Sequence, residues 1–434
     1  MRRIFSIIAL LLLGNLCAQP YKSSDNRELA RGSIWVYPTA EIAATRNCEN
    51  NRYLTHLTTW QLHQSVFSST FTMPFAWVNR QVFFYVGSAT SDYEVRVNGR
   101  RVGRNANPNQ PAEFNITRYA KEGRNTLEIV LADPSAFTPM ESWKSGITPA
   151  IGATRVFSQP TLRIRDILVK TGLGDAEAKT ATAEVGIVVK SHALNPRTSQ
   201  FHYELLSPQG EVAAVGKQEL TLSMRGEDTL RFLARIPKSQ LWSVQHPVHY
   251  TLKLKTQHEG RFVEFLNLPI GFRVVSVRNG QMAVNGEPVE LRVREVSPQI
   301  DSATLVKVHK EGYNTLKLAS GVARPELYAM CDTLGMFVIT QAAIDTRSGG
   351  DSRRKGGNIS NNPAWQGAFI ERVEDSYHAT KRHPSVIAFS IAEQSSNGIN
   401  LYETYLRMKQ FEDDRPIIYP AAGGEWNSDL LKWK

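Results

Sequence analysis

The chain has 434 residues, with 51 Lys and Arg against 41 Asp and Glu, for a formal net charge of +10 at pH 7. Hydrophobic residues make up 41% and charged residues 21%, a mixture that excludes long disordered or collagen-like stretches. The length predicts about three domains, which can bury cores without help from disulfides.

The first 18 residues have the features of a secretory signal peptide. Residues 2 and 3 are arginines, residues 4–13 are almost wholly apolar, and Ala18 precedes the expected cleavage site. The apolar run is too short to span a bilayer, and no later stretch is apolar enough to do so. We therefore expect export to the periplasm or cell surface of a Gram-negative-type bacterium. A lipoprotein anchor at Cys17 is the alternative.

The remaining composition points to no cofactor, metal site or nucleic-acid partner. Cys48 and Cys331 lie far apart in the sequence, and isolated thiols of this kind usually behave as small hydrophobes. No CxxC motif is present, and the ten His show no metal-ligand spacing. The positive charge is spread along the chain without a nucleic-acid motif.

Short β segments dominate residues 19–160 and predict a β-sandwich. Residues 82–86 are apolar, whereas residues 93–97 alternate and then meet Asn98-Gly99. Asn-Gly after an alternating strand is a strong hairpin signal. A further strand is expected over residues 125–131.

The β pattern continues through residues 161–273 with different turns. Some five to seven strands in about 110 residues are typical of an immunoglobulin-like sandwich. The expected strands cover residues 181–189, 201–206, 229–236, 248–255 and 262–268.

Residues 274–434 change to alternating strands and helices, which indicates an α/β domain with a parallel sheet. Strands are expected over residues 289–296, 314–319, 336–342, 386–391 and 417–419. Helices are expected over residues 302–311, 325–334, 362–381 and 400–411. The whole chain is thus predicted to be multidomain, β followed by α/β.

Six stretches, in the same order, resemble glycoside hydrolase family 2 of the β-galactosidase type. They are 58–61 (TTWQ), 97–117 with its NG turn and PAEFNIT, 241–250 (LWS and HP), 271–273 (GFR), 284–289 (VNGEPV) and 383–387 (HPSVI). The resemblance implies a jelly-roll, galactose-binding-like domain, an immunoglobulin-like domain and part of a (β/α)8 TIM barrel. Fold alone does not establish activity.

The resemblance also assigns the position of the catalytic acid/base, which is altered here. The family ends barrel strand four in Gly-Asn-Glu-Ser, and Gln394 stands at the place of that Glu. An amide cannot give up a proton, so a contribution of about 10²–10⁴-fold would be lost. Glu393 is the candidate replacement, but neighbouring strand residues face opposite ways. We therefore expect that Glu393 does not reach the acid/base position unless a bulge redirects it.

The family's nucleophile lies on a late barrel strand, beyond the fifth, and no residue of this sequence matches it. Five parallel strands do not close a barrel. We expect the C-terminal part to pack on the sandwiches, to form a homo-oligomer or to be poorly ordered.

The family's magnesium ligands are also replaced. The places of its Glu, His and acid/base Glu are held by Asp345, Arg347 and Gln394, so we expect no metal there. Lys317, Asp345 and Asn397 are the residues that we expect to contact substrate, with Glu393 and Gln394 at the catalytic positions.

These observations lead to three hypotheses. The first is a β-galactosidase-like protein of carbohydrate metabolism that is catalytically inactive and binds carbohydrate or a partner protein. The second is an active retaining β-glycosidase that uses Glu393 and a nucleophile from a complementing chain. The third is a structural or assembly module of the cell envelope.

Overall fold

The structure is a computed structural model that describes residues 22–49, 51–133, 139–144, 148–175, 177–354 and 356–434. The predicted signal peptide, residues 1–18, lies outside the described residues. Within the described ranges, no helix combines the length and apolarity needed to cross a membrane.

The first part of the chain folds as two stacked antiparallel sheets. Their strand orders are β2-β3-β8-β5-β6 and β1-β9-β4-β7. The strands are β1 (Leu54–Leu57), β2 (Gln61–His63), β3 (Val66–Met73), β4 (Gln81–Val86), β5 (Tyr93–Val97), β6 (Arg100–Asn105), β7 (Ala112–Asn115), β8 (Gly123–Leu131) and β9 (Thr154–Gln159), preceded by helix α1 (Ala40–Thr45). The predicted hairpin is present, since Asn98 and Gly99 join β5 to β6 with φ of 51° and 75°.

The second part is also a sandwich, with strand orders β10-β11-β14 and β13-β12-β15-β16. Its strands are β10 (Leu162–Gly172), β11 (Thr180–Ser191), β12 (Arg197–Leu206), β13 (Val212–Leu222), β14 (Glu227–Pro237), β15 (Tyr250–His258) and β16 (Arg261–Ile270). The expected strands all occur, and β10 is an addition, as is β13. Strand β13 is an edge strand with mostly exposed or half-buried side chains, so its sequence lacks the apolar alternation of a strand with one buried face.

The third part begins with a small antiparallel sheet and continues as a parallel one. The small sheet contains β17 (Val275–Arg278), β18 (Gln281–Val284) and β19 (Glu287–Val289). The parallel sheet runs in chain order through β20 (Val293–Val296), β21 (Thr315–Leu318), β22 (Phe337–Gln341), β23 (Val386–Ser390) and β24 (Ile417–Ile418). Its helices are α2 (Ser302–Lys310), α3 (Pro325–Leu334), α4 (Gln366–Thr380) and α5 (Ile399–Lys409).

Two elements differ from their predicted bounds for local reasons. The strand expected over residues 289–296 is divided, because residue 289 belongs to β19 and β20 starts at residue 293. The helix expected from residue 362 starts at Gln366, after the 3-10 turn Pro363–Trp365. Asn362 is extended, as the residue before a proline generally is, and it therefore cannot begin the α-helix.

The five-stranded sheet is not a closed barrel, but its two faces are covered. Apolar residues of α2–α5 pack against one face. On the other face, Phe337, Ile339 and Ile387 pack with Trp242, with residues of β17–β18 and with Leu431. The prediction that the C-terminal part packs on the sandwiches therefore holds only in part, because most of the covering residues belong to the third part itself.

Residues 428–434 also hydrogen-bond both edge strands of this sheet. Ile417 donates its N–H to Oδ2 of Asp429 over 2.8 Å and accepts from the Asp429 N–H over 2.8 Å. At the opposite edge, Val293 donates to the carbonyl of Lys434 over 2.9 Å. These bonds satisfy backbone groups that an open edge would otherwise leave available for pairing with another chain.

Replacing Asp429 with alanine is expected to lower the free energy of unfolding by about 1–3 kcal/mol, because the buried Ile417 N–H would lose its acceptor. Asp429→Asn keeps an acceptor oxygen and is the matched control, with a smaller loss. Urea denaturation measures both, and an alanine variant as stable as the unmodified chain would contradict this role of the carboxylate.

Candidate functional site

Polar side chains gather where the strands of the parallel sheet end. We call this group the sheet mouth, defined by Glu295, Lys317, Ser320, Asp345, Arg347 and Glu393. Because carboxyl ends of parallel strands lie on one edge of the sheet, these residues come together although nearly 100 positions separate the first from the last. In α/β folds, this edge is where sites usually form.

Glu393 is turned towards the neighbouring strands. Strand β23 ends at Ser390, so the alternation of strand side chains does not determine the direction of Glu393. Its Oε2 accepts the Ser320 N–H over 2.6 Å, and its Oε1 accepts from Nη2 of Arg347 over 3.3 Å. Both oxygens therefore act as hydrogen-bond acceptors.

Gln394 lies on the surface beside this arrangement. Gln394 is exposed, and its backbone carbonyl oxygen accepts the Thr346 N–H over 3.1 Å. Its side-chain amide has no ionisable proton at neutral pH. Gln394 thus takes part through its backbone hydrogen bond to Thr346, and its side chain cannot act as an acid or a base.

Arg347 holds the centre of the sheet mouth. Its Nε donates to Oδ2 of Asp345 over 2.7 Å, and its backbone N–H donates to Oδ1 over 3.1 Å. Asp345 is fully buried, whereas the Arg347 side chain is 44% exposed. The hydrogen bond to Asp345 raises the pKa of Arg347 above its ordinary value. One guanidinium therefore bridges two carboxylates, those of Asp345 and Glu393.

This bridge does not suit the magnesium ion that the family resemblance implies. A hard cation needs several free oxygen ligands, and the Asp345 carboxylate already holds a fixed cation. The described residues contain no group of three or more His, Cys, Asp or Glu side chains placed to hold a metal ion. The oxygens of Asp345 and Glu393 instead bind the guanidinium of Arg347, at the place that the resemblance assigns to the metal.

The other two residues expected to contact substrate lie in different surroundings. Lys317 is in the sheet mouth, where its Nζ is 2.6 Å from Oε2 of the half-exposed Glu295. Asn397 is buried beneath residues 420–427, and it exchanges hydrogen bonds of 2.7 and 3.1 Å with Asn427. The structure brings Lys317, Asp345 and Glu393 together and leaves Asn397 in the core.

The first sandwich contributes a buried ionic cluster beside the sheet mouth. Glu141 and Asp345 form a parallel β-bridge, so residues 139–144 lie against the loop after β22. The Glu141 carboxylate is 2.8 Å from Nη1 of Arg372 and 2.6 Å from Nζ of Lys144. Burial alone would raise the pKa of Glu141, but these two cations outweigh it and lower the pKa. Sequence patterns gave no signal for this contact between distant segments.

Replacing Arg347 with alanine is expected to lower the free energy of unfolding by about 1–3 kcal/mol, because the buried Asp345 carboxylate would lose its cation. Arg347→Lys keeps a positive charge but cannot make the two-pronged contact. Its free energy of unfolding should lie between those of the alanine variant and the unmodified chain. Thermal unfolding at matched pH measures the series. An alanine variant that matched the unmodified chain would contradict a structural role for this bridge.

Two β-sandwiches followed by a parallel βα sheet are the domain order of the modular class of proteins that the sequence resembles. Family models match three segments: "Glycosyl hydrolases family 2, sugar binding domain" at residues 58–146, "Glycosyl hydrolases family 2" at 162–273, and "Glycosyl hydrolases family 2, TIM barrel domain" at 299–431. The chain belongs to glycoside hydrolase family 2.

Individual relatives agree with this assignment. The chain is 26% identical over 384 residues to a β-galactosidase of Psychromonas ingrahamii and 27% identical over 366 residues to one of Vibrio cholerae. The matches cover 83% and 79% of this chain but 36% and 34% of those proteins, so the chain spans about a third of their length. Bacteroides uniformis β-glucuronidase 2 has a similar structure, with a TM-score of 0.70, 16% identity and coverage of 92% of this chain and 52% of that one.

Proposed function

We propose that this chain is a β-galactosidase-like protein that binds carbohydrate at the sheet mouth without hydrolysing it. The observation that carries the proposal is the Arg347 bridge, in which one guanidinium engages both Asp345 and Glu393. Retaining hydrolysis needs one carboxylic acid to donate a proton and a second carboxylate to attack the sugar. The carboxylates of the sheet mouth are instead engaged with cations.

The geometry around Glu393 supports loss of the acid/base step. A general acid must present an O–H to the leaving oxygen. Glu393 accepts hydrogen bonds on both oxygens, and Gln394, at the family's acid/base place, is an amide. Glu295 is paired with Lys317, so it is not a free second carboxylate.

Groups in the loop after β24 support carbohydrate as the ligand. Trp426 is 59% exposed, and its ring lies 4.9 Å from that of Tyr402 and 6.1 Å from that of Tyr405. The preceding residue, Glu425, pairs with Arg353 over 2.6 Å. An exposed indole supported by neighbouring rings offers an apolar face for a sugar ring, and the charged groups beside it offer hydrogen bonds to hydroxyls.

Calorimetric titration with lactose and methyl β-galactoside, alongside a glycan array, tests the proposal. Saturable binding is expected, and Trp426→Ala should weaken it by about tenfold. Trp60→Phe is the matched control, because Trp60 packs against Phe84 in the first sandwich and donates to Thr154. An array without any hit, together with a stably co-purifying envelope protein, would instead support an assembly module.

We also propose that the protein is exported. The support is the basic start and apolar run of residues 1–18. Fractionation of the native host, followed by N-terminal sequencing of the mature chain, tests this proposal. A mature N-terminus at residue 19 in the periplasmic or surface fraction is expected, whereas an intact Met1 in the cytosol would overturn it.

A further inference from the structure

A cavity of about 360 Å³ lies between the second sandwich and the third part of the chain. Strands β10, β11 and β14 form one wall, and residues 271–275, the end of α4 and residues 411–415 form the other. Pro384 also lines it and lies before the start of β23, whereas Glu393 follows the end of that strand. The cavity is therefore at the opposite end of the sheet from the sheet mouth.

The cavity is lined by more cations than acids. The cations are Lys170, Arg231, Arg273, Lys381, Arg382 and Arg415. The acids are Glu184, Glu412, Asp413 and Asp414. Glu412 and Asp414 are solvent-exposed, so water and salt screen their charges.

Three of the cations have a direct carboxylate partner. The pairs are Arg231 with Glu184 at 3.3 Å, Arg415 with Asp413 at 2.8 Å, and Lys381 with Asp166 at 2.9 Å. Positive charge therefore remains on Arg273, Arg382 and the exposed Lys170.

Arg273 makes its hydrogen bonds to neutral acceptors. Its Nε donates to the carbonyl of Pro384 over 2.8 Å, and its Nη2 donates to the carbonyl of Val386 over 2.6 Å. Burial, followed by repulsion from Arg415, lowers the pKa of Arg273 to about 9. Asp413 attracts Arg273 but is hydrogen-bonded to Arg415, so one carboxylate serves two guanidiniums.

Arg382 is also incompletely satisfied. Its Nη2 donates to the carbonyl of Ser33 over 2.9 Å, while its Nη1 is buried without a hydrogen-bond partner. Burial lowers the pKa of this guanidinium as well. A buried charged donor without an acceptor is costly, and a bound anion nearby would favour the charged form of this guanidinium.

We propose that this cavity binds a compact oxyanion, either free phosphate or sulfate or the carboxylate of an acidic monosaccharide. The volume lies within the range of small-molecule sites and suits a ligand of that size. Tyr377 and Phe411 stack with ring centroids 4.5 Å apart on the cavity wall, and they offer an apolar surface to a sugar ring. Arg273 and the exposed Lys170 supply the donors for the anion, and the positive charge of Arg382 adds to the attraction.

Calorimetric titrations of the full chain with phosphate, sulfate and glucuronate, at ionic strength held constant with chloride, test this inference. Glucose is the uncharged control for glucuronate. We expect one saturable site for at least one of the anions and none for glucose. Tighter binding of glucuronate than of phosphate and sulfate would identify an acidic saccharide as the ligand, and the reverse order a free oxyanion. No binding of any of the three would overturn the proposal.

Variants connect the binding to the cavity. Arg273→Gln should weaken it by at least about tenfold, because a charged hydrogen-bond donor is lost. Lys170→Glu places a negative charge at an exposed lining position, so it should weaken binding even if the Arg273 variant fails to fold. Lys217→Glu, on the exposed strand β13, makes the same charge change elsewhere and should leave affinity unchanged. Equal affinity of the Lys170 variant and the unmodified chain would place the anion outside this cavity. The result does not depend on the sheet mouth or on sugar binding there.

Discussion

Replacing Glu141 with glutamine is expected to lower the free energy of unfolding by about 3–5 kcal/mol, the cost of leaving a buried charge without its partner. The Glu141 side chain is fully buried, and that of Arg372 is 4% exposed. The substitution preserves side-chain volume, so the loss would come from charge and not from a cavity. Denaturant unfolding at pH 7 measures it.

Two control variants separate this charge effect from general damage. Glu204→Gln breaks the exposed pair with Lys253 and should cost less than about 1 kcal/mol. The double variant Glu141→Met with Arg372→Met removes the Glu141–Arg372 pair and should be more stable than the sum of the single losses predicts. A Glu141 variant no less stable than the Glu204 variant would show that the cluster does not hold the first sandwich to the sheet.

The free energy of unfolding is expected to fall as pH drops from about 6.5 to about 2, by roughly 3 kcal/mol for each of two groups. Burial, followed by repulsion from Arg163, lowers the pKa of His192 to about 4. Burial alone would raise the pKa of Glu28, but Arg163 and Lys190 outweigh it and lower the pKa to about 2.

The direction of this effect follows from the two depressed pKa values. The unfolded chain takes up a proton on His192 below pH 6.5, before the folded chain does, so that contribution is lost between pH 6.5 and 4. The contribution of Glu28 is lost between pH 4.5 and 2 for the same reason. Urea titrations at several pH values measure the curve. His192→Gln should flatten its upper part, and Glu28→Gln its lower part. A curve unchanged by both variants would contradict the assignment.

Local patterns predicted most of the fold. The Asn98-Gly99 turn, the period of the strands in both sandwiches and the βα alternation after residue 274 are properties of short segments, and a family resemblance in six places supplied their order. Strand β13 was missed because an edge strand with little burial carries no apolar period. The edge bonds made by residues 428–434 could not be predicted, because no local pattern specifies the partner of an edge strand, which is 12 residues away for Asp429 and Ile417 and over 100 for Lys434 and Val293.

Four of the six sheet-mouth residues were predicted from the sequence, but their arrangement was not. The replacements at Gln394 and Arg347 were evident from the family pattern. The direction of Glu393 was argued from strand alternation, which does not apply because β23 ends three residues earlier. The Arg347 bridge joins loops that follow two different strands, and only the folded sheet brings them within hydrogen-bond distance.

The most direct test of binding without hydrolysis is the release of aryl alcohol from an aryl β-galactoside by the purified chain, with and without Glu393→Gln. The Arg347 bridge predicts release no faster than in buffer alone, with both chains behaving alike, while the same galactoside still binds in a titration. The same assay with the product of the neighbouring gene added tests for a complementing chain. Catalytic release by the unmodified chain that Glu393→Gln abolishes would contradict the account.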